Sequence, residues 1–138
     1  KNKLKIDYRN IDLDDLKSEK FDLITCMEVL EHTSDVNKIV AKSKTLLKEN
    51  GVFIGSTINK TLMSYILALF FAERILKIVP KGTHDWNKLI KPNYLKKIFI
   101  VNGFYNFEFC GVSYNPFRNL WRLCESSDIN YMFCASTM

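Results

Sequence analysis

Apolar and polar side chains alternate through L-K-I-D-Y at 4–8, the period-two pattern of a short strand. The acidic loop N-I-D-L-D-D-L follows at 10–16, and F-D-L-I-T-C at 21–26 reads as a mostly buried strand. Ser34 is placed to cap a helix, and Val36, Ile39, Val40 and Leu47 recur behind it at helical spacing with lysines between. Asn50-Gly51 is the stop signal of that helix, and Val52 to Thr57 forms a second buried strand. Strand, helix and strand in this order predict an α/β fold with a parallel sheet.

Past residue 60 the pattern changes. T-L-M-S-Y-I-L-A-L-F-F-A-E-R-I-L-K-I-V-P, residues 61–80, is strongly apolar. A membrane-crossing helix needs roughly 20 mostly uncharged residues, and Glu73, Arg74 and Lys77 interrupt the run. Leu62 to Val79 suits a core helix, or an interfacial helix with Lys60, Arg74, Lys77 and Lys81 around its apolar residues. The second reading makes 60–91 an apolar lid or membrane-facing insertion, since such patches mark contact surfaces. Pro92 then opens a short helix with Leu95, Ile98 and Phe99, stopped by Asn102-Gly103. F-Y-N-F-E-F-C at 104–110 and I-N-Y-M-F-C-A at 129–135 read as strands, joined by a long loop rich in turn formers. Two late strands without a helix between them predict an antiparallel pair at the end of the sheet.

The 138 residues suffice for one modest domain, 1–138, and 47% hydrophobic with 25% charged residues is globular composition. The net charge of +5 is mild; it suits an anionic membrane surface better than an acidic chain would, and without a dense basic block or motif it excludes nucleic acid as a partner. Four cysteines, none spaced C-x-x-C, are expected as reduced, buried thiols of a cytosolic protein.

The candidate chemistry begins where the strand at 21–26 ends. T-C-M-E-V-L-E-H carries Glu28, Glu31 and His32, and on a helix the spacings i, i+3 and i+4 share one face. In an open α/β sheet the carboxyl ends of the strands are where ligands sit. Two carboxylates and an imidazole suit Mg²⁺, Mn²⁺, Fe²⁺ or Zn²⁺. Two glutamates on a helix usually make a solvated face, with a neighbouring histidine capping or packing, and the triple by itself is weak evidence for a metal.

The wider text carries a resemblance. T-C-M-E-V-L-E-H at 25–32, V-P-K-G-T-H-D-W at 79–86, G-V-S-Y-N-P-F at 111–117 and D-I-N-Y-M at 128–132 together resemble the ubiquinone-biosynthesis O-methyltransferases, in that family's order and from about Ile6 to Ser136. The resemblance implies a class I, Rossmann-like methyltransferase that uses S-adenosyl-L-methionine to methylate a hydroxyl of a polyprenylated phenol or quinol. It implies that Glu28, Glu31 and His32 hold a divalent cation, Mg²⁺ first with Zn²⁺ or Mn²⁺ as alternatives. Such an ion would lower the pKa of the hydroxyl and orient it. It also implies that Met27, Asp12 and Leu13 line the cofactor, although Asp12 reads equally as a turn residue. His84, in T-H-D-W, is the candidate general base. Tyr114, Asn115 and Pro116 shape a ring or prenyl pocket or fix a turn, and Asn130, Tyr131 and Met132 build the last strand.

The departure lies at the front. The glycines are 51, 55, 82, 103 and 111, and none forms the G-x-G loop that this fold needs after its first strand. The chain is therefore expected to carry the C-terminal portion of the family's domain, with the N-terminal part missing. The implied setting is cytoplasmic, peripheral to the inner face of a membrane through 62–79, alongside other enzymes of ubiquinone biosynthesis. The rival expectation is a non-catalytic, membrane-associated remnant or complex subunit without the cofactor's glycine loop.

Overall fold

A computed structural model of the chain describes residues 4–66, 85–115 and 118–137. Among these residues five strands form one mixed sheet: β1 (Phe21–Met27), β2 (Leu47–Ile58), β3 (Asn106–Asn115), β4 (Leu120–Cys124) and β5 (Asn130–Ser136). Their spatial order is β1-β2-β5-β3-β4. Helix α1 (Val36–Leu46) crosses over between the parallel pair β1 and β2, and every later pairing is antiparallel. The expected α/β class with an antiparallel end holds, and β5 returns to insert between β2 and β3.

Several local expectations need correction. The 4–8 pattern forms no strand, because no described strand lies beside it; Leu4, Ile6 and Tyr8 are exposed. The segment is held instead by Arg9, whose guanidinium bonds Asp7 at 2.7 Å and also reaches Glu19. The cap of α1 is Asp35 rather than Ser34, its carboxylate accepting from the Lys38 N–H at 3.0 Å. Asn50-Gly51 does not end α1, which stops at Leu46. Leu47 already opposes Phe21 in the sheet, and the register shifts before Leu23 meets Val52. Asn50, in the left-handed region at φ 60°, makes that irregularity possible. The loop expected at 113–128 contains β4, closed by Asn119 at φ 48°. Of the four thiols only Cys26 is buried; Cys110 and Cys124 are half-buried and Cys134 is exposed.

Pro92 does open a helix, α3 (Pro92–Val101), with Leu95, Ile98 and Phe99 buried; α2 (Leu62–Ser64) is a single turn between β2 and the residues beyond Ile66. Asn102 closes α3 through its amide and side chain on Ile98 O, followed by Gly103 at φ 75°. Helices α1 and α3 pack on the same side of the sheet. There Val40, Leu95 and Phe99 meet Phe53, Tyr131, Phe133 and Ala135 in one cluster. Phe53 and Phe99 each lie 5.2 Å, centroid to centroid, from Phe133 in edge contact. The opposite face carries Leu23, Met27, Trp121 and Leu123, all exposed. The apolar run at 62–79 is described only to Ile66, and residues 67–84, including His84, lie outside the described residues. No described helix is long and apolar enough to cross a membrane.

Gly55 sits where β2 crosses beneath the aromatic cluster. A Cβ there would lie 2.3 Å from Phe133 Cζ and 2.5 Å from the Cys26 carbonyl oxygen. Gly55→Ala is expected to destabilise the fold by about 1–3 kcal/mol through overpacking, lowering the melting temperature by several degrees in a circular-dichroism melt. An unchanged melting temperature would contradict this packing.

Candidate active site

The site is built at the carboxyl end of β1. After Met27 the chain must leave the sheet, and Glu28 does so in the left-handed conformation at φ 53°. Such backbone is costly for a residue with a Cβ and persists where surrounding contacts enforce it. Here the contacts are to β2: the Glu28 N–H donates to Ser56 O at 3.0 Å, and Ser56 Oγ donates to Glu28 Oε1 at 2.6 Å. Residues Leu30–His32 then make one 3₁₀ turn. Leu30 and Glu31 are buried, while His32 is exposed. Thr57 Oγ1 donates to Glu31 Oε2 at 2.6 Å, and Glu31 Oε1 has no hydrogen-bond partner among the described residues.

Ser56 and Thr57 are successive residues of one strand, so their side chains leave opposite faces of the sheet. Glu28 is consequently drawn to the open face and Glu31 to the helix-covered face. The expectation that Glu28, Glu31 and His32 share one helical face is corrected: there is no α-helix across them, and the strand alternation separates the carboxylates. Glu31 Oε1 would suit a ligand atom, but the set does not converge on it. Among the described residues no three His, Cys, Asp or Glu side chains are grouped to hold a metal ion.

Glu31 instead faces a buried neighbourhood. Burial, and then the nearby Glu31 carboxylate, push the Cys26 thiol up to about 11 from its ordinary 9.0. The same two causes, in the same order, raise the Tyr131 phenol well above its usual range. Its hydroxyl donates to Ile90 O at 3.0 Å.

On the open face, Met27 and Glu28 line a cavity of about 480 Å³ with Ser56, Asn130 and Met132. Val112, Trp121, Arg122 and Leu123 of the β3–β4 hairpin close its other side. Asp12 and Leu13 lie elsewhere on the rim. The Asp12 carboxylate accepts from the Asp14 N–H at 3.0 Å in a capped turn at Leu13–Asp15. The turn reading of Asp12 is thus observed, and both residues also line a separate cleft of about 480 Å³ with Asp7, Arg9 and Phe21. A smaller cleft of about 220 Å³ runs from Asp12 and Leu13 to Thr33, Ser34 and Asp35 at the start of α1. Tyr114 and Asn115 fix a turn: Tyr114 OH donates to Asn119 Oδ1 at 2.8 Å, and the Arg118 N–H donates to Asn115 Oδ1 at 3.1 Å. Pro116 lies outside the described residues. Sequence reasoning missed Ser56, Thr57 and Trp121. Alternation out from Phe53 would have placed Ser56 and Thr57 on opposite faces.

A parallel β-α-β start, antiparallel closing strands and a cavity at the carboxyl end of β1 define the sheet of the class I methyltransferases. A sequence model of the methyltransferase domain matches residues 2–108, and the chain belongs to that family. It is 42% identical to the ubiquinone biosynthesis O-methyltransferase of Pelagibacter ubique, over 96% of this chain and 55% of that protein. It is 39% identical to the enzyme of the same name from Bradyrhizobium diazoefficiens, over 100% of this chain and 55% of that protein. The chain spans about half the length of the curated relatives it matches. In solved structures the fold is similar to a SAM-dependent methyltransferase from Thermotoga maritima, with TM-score 0.64 and 13% identity over 89% of this chain and 58% of that one. A second, from Archaeoglobus fulgidus, also has TM-score 0.64, with 14% identity over 91% of this chain and 63% of that one.

The raised Cys26 thiol gives a testable pH dependence. The folded state keeps its proton between pH 9 and about 11 while the unfolded state loses it, so stability is complete below pH 9 and falls as pH rises through that window. At pH 8, a thiol reagent followed by peptide mapping should label the exposed Cys134 and leave Cys26 intact in this chain. Rapid labelling of Cys26 in the folded state would contradict its placement.

Proposed function

We propose that the full gene product containing this chain is an S-adenosylmethionine-dependent O-methyltransferase acting on a polyprenylated catechol or demethylubiquinol of ubiquinone biosynthesis. The observation that carries this reading is the Glu28 carboxylate, held by Ser56 at the end of β1 and lining a largely apolar cavity. Family membership and the similarity to the named relatives support it.

S-adenosylmethionine, when bound, supplies a methyl group on a cationic sulfur. Met27, Asp12 and Leu13 are the residues of this chain proposed to line it, Met27 from the cavity at the carboxyl end of β1 and Asp12 and Leu13 from the cleft that runs to Thr33 and Asp35 at the start of α1. The acidic turn and apolar rim fit a cationic, partly apolar molecule. Glu28 accepts the proton of the substrate hydroxyl as that oxygen becomes a nucleophile. Ser56 fixes the carboxylate for the transfer, and the left-handed backbone of Glu28 aims it out of the sheet. Met27 and Met132, beside Glu28, orient the ring and exclude water, so positioning supplies a large part of the rate. Glu28 would hold the proton released by the hydroxyl as its oxygen takes the methyl group, and S-adenosylmethionine, once bound, would supply that methyl and depart as a neutral thioether. No step passes through a divalent cation, because Glu28 and Glu31 are held on opposite faces. A contribution of His84 as base falls outside the described residues.

The proposed substrate is dissolved in a bilayer, and the enzyme is proposed to reach it peripherally. Exposed Leu62, Met63 and Ile66, beside Lys60, lead into the apolar segment expected to make that contact.

Glu28→Gln keeps the size and the Ser56 contact and removes the base. In the full gene product it should lower kcat by about 10²–10⁴-fold with KM for S-adenosylmethionine unchanged, measured by methyl transfer to a catechol. Activity equal to wild type would overturn the role given to Glu28.

A further inference from the structure

The cavity beside Glu28 is asymmetric across the sheet. On the β1 and β2 side it presents a carboxylate and the Ser56 hydroxyl. On the far side it is closed by Val112 of β3 and by Trp121 and Leu123 of β4, with Met132 of β5 between the two. The register sets these residues in rows: Met27 opposes Ser56 and Ser56 opposes Met132, while Val112 opposes Asn130 on one side and Leu123 on the other. β1 and β4 are four strand spacings apart in the sheet, roughly 19 Å at about 4.8 Å each. A ligand with its hydroxyl at Glu28 therefore has a long, mostly apolar path ahead of it across β5 and β3 to β4, with the Asn130 amide its polar group on β5.

The hairpin end of that path is built, and it is accessible among the described residues. Trp121 is 58% exposed and Leu123 68% exposed, although both are large and apolar. The Trp121 ring lies 4.7 Å from the Tyr114 ring, whose hydroxyl is tied to Asn119 at the turn. The aromatic pair is thus braced from within the hairpin and does not belong to the core cluster around Phe53. No acidic side chain lines this half of the cavity, and its one charged residue, Arg122, carries a long aliphatic stem. A largely apolar concave surface with a few polar groups, Glu28 and Ser56 at one end and Asn130 beside Val112, is the form of a site for an amphipathic small molecule.

We propose that the β3–β4 hairpin is the subsite for the apolar tail of the substrate, with Trp121 and Leu123 gripping an isoprenoid chain whose ring lies toward Glu28. This rests on the O-methyltransferase reading and adds to it the part of the protein that selects for a tail. Trp121 is a specificity-determining residue, without contact to the reacting atoms.

Two measurements on the full gene product test it. In the first, Trp121→Ala is compared with wild type on catechol and on a farnesyl-substituted catechol. KM for the farnesyl compound should rise about tenfold or more, with its kcat and both constants for catechol within about twofold. A purely structural Trp121 would move both substrates together, and that result, or no change for either, overturns the subsite. In the second, the emission of Trp121 is read as the difference between wild type and Trp121→Phe. That emission should shift to the blue, saturably, with farnesyl-substituted catechol and stay unchanged with catechol. Turnover of neither compound by wild type, with Trp121 still answering the farnesyl chain, would sink the O-methyltransferase reading and leave the subsite standing. A silent Trp121 beside normal turnover would do the reverse.

Discussion

Successive side chains of a strand leave opposite faces of its sheet, and the end of β2 turns that constraint into the layout of the site. Ser56 reaches Glu28 on the open face, and Thr57 reaches Glu31 on the covered face. Both bonds depend on β1 and β2 running in register, with Cys26 opposite Gly55 and Met27 opposite Ser56. The register in turn depends on Gly55, whose missing side chain lets Phe133 and the Cys26 carbonyl close over it. One backbone contact, the parallel pairing of β1 with β2, thus decides which carboxylate meets the cavity and which is sealed among Cys26, Thr57 and Tyr131.

The two faces have different chemistry. Under α1 and α3 lies a tight aromatic core of Phe53, Phe99, Phe104 and Phe133, with Phe99 5.4 Å from Phe104. On the other face the apolar side chains are spaced along the rows of the sheet and stay accessible, from Met27 to Leu123. Packing on the first face gives stability. The second face, ending at a left-handed glutamate, gives a mostly apolar cavity with Glu28 and Ser56 at one end and Asn130 along its length.

Elements backed by a strong local pattern were legible in the sequence. The buried strand at 21–26, the helix behind Val36, the Pro92 start and the Asn102-Gly103 stop of α3, and the antiparallel pairing of 104–110 with 129–135 all stand. The remainder was decided by context that spacing does not encode. The 4–8 alternation has no neighbouring strand to pair with. Asn50-Gly51 marks an irregularity inside β2, because Leu47 is captured by Phe21 before the helix can extend. L-W-R-L at 120–123 is a strand hidden among turn formers. Glu28, Glu31 and His32 look like one helical face only if the chain is helical there, and the two hydroxyls of β2 pull the carboxylates apart instead.

The central claim is that this chain forms the substrate side of a methyltransferase whose cofactor lies against the carboxyl end of β1. Calorimetric titration of S-adenosylhomocysteine into the full gene product tests it most directly. The expected result is saturable binding near micromolar affinity, about −8 kcal/mol. Absence of binding in the folded full-length protein would contradict the claim and favour a remnant of the fold without the cofactor site.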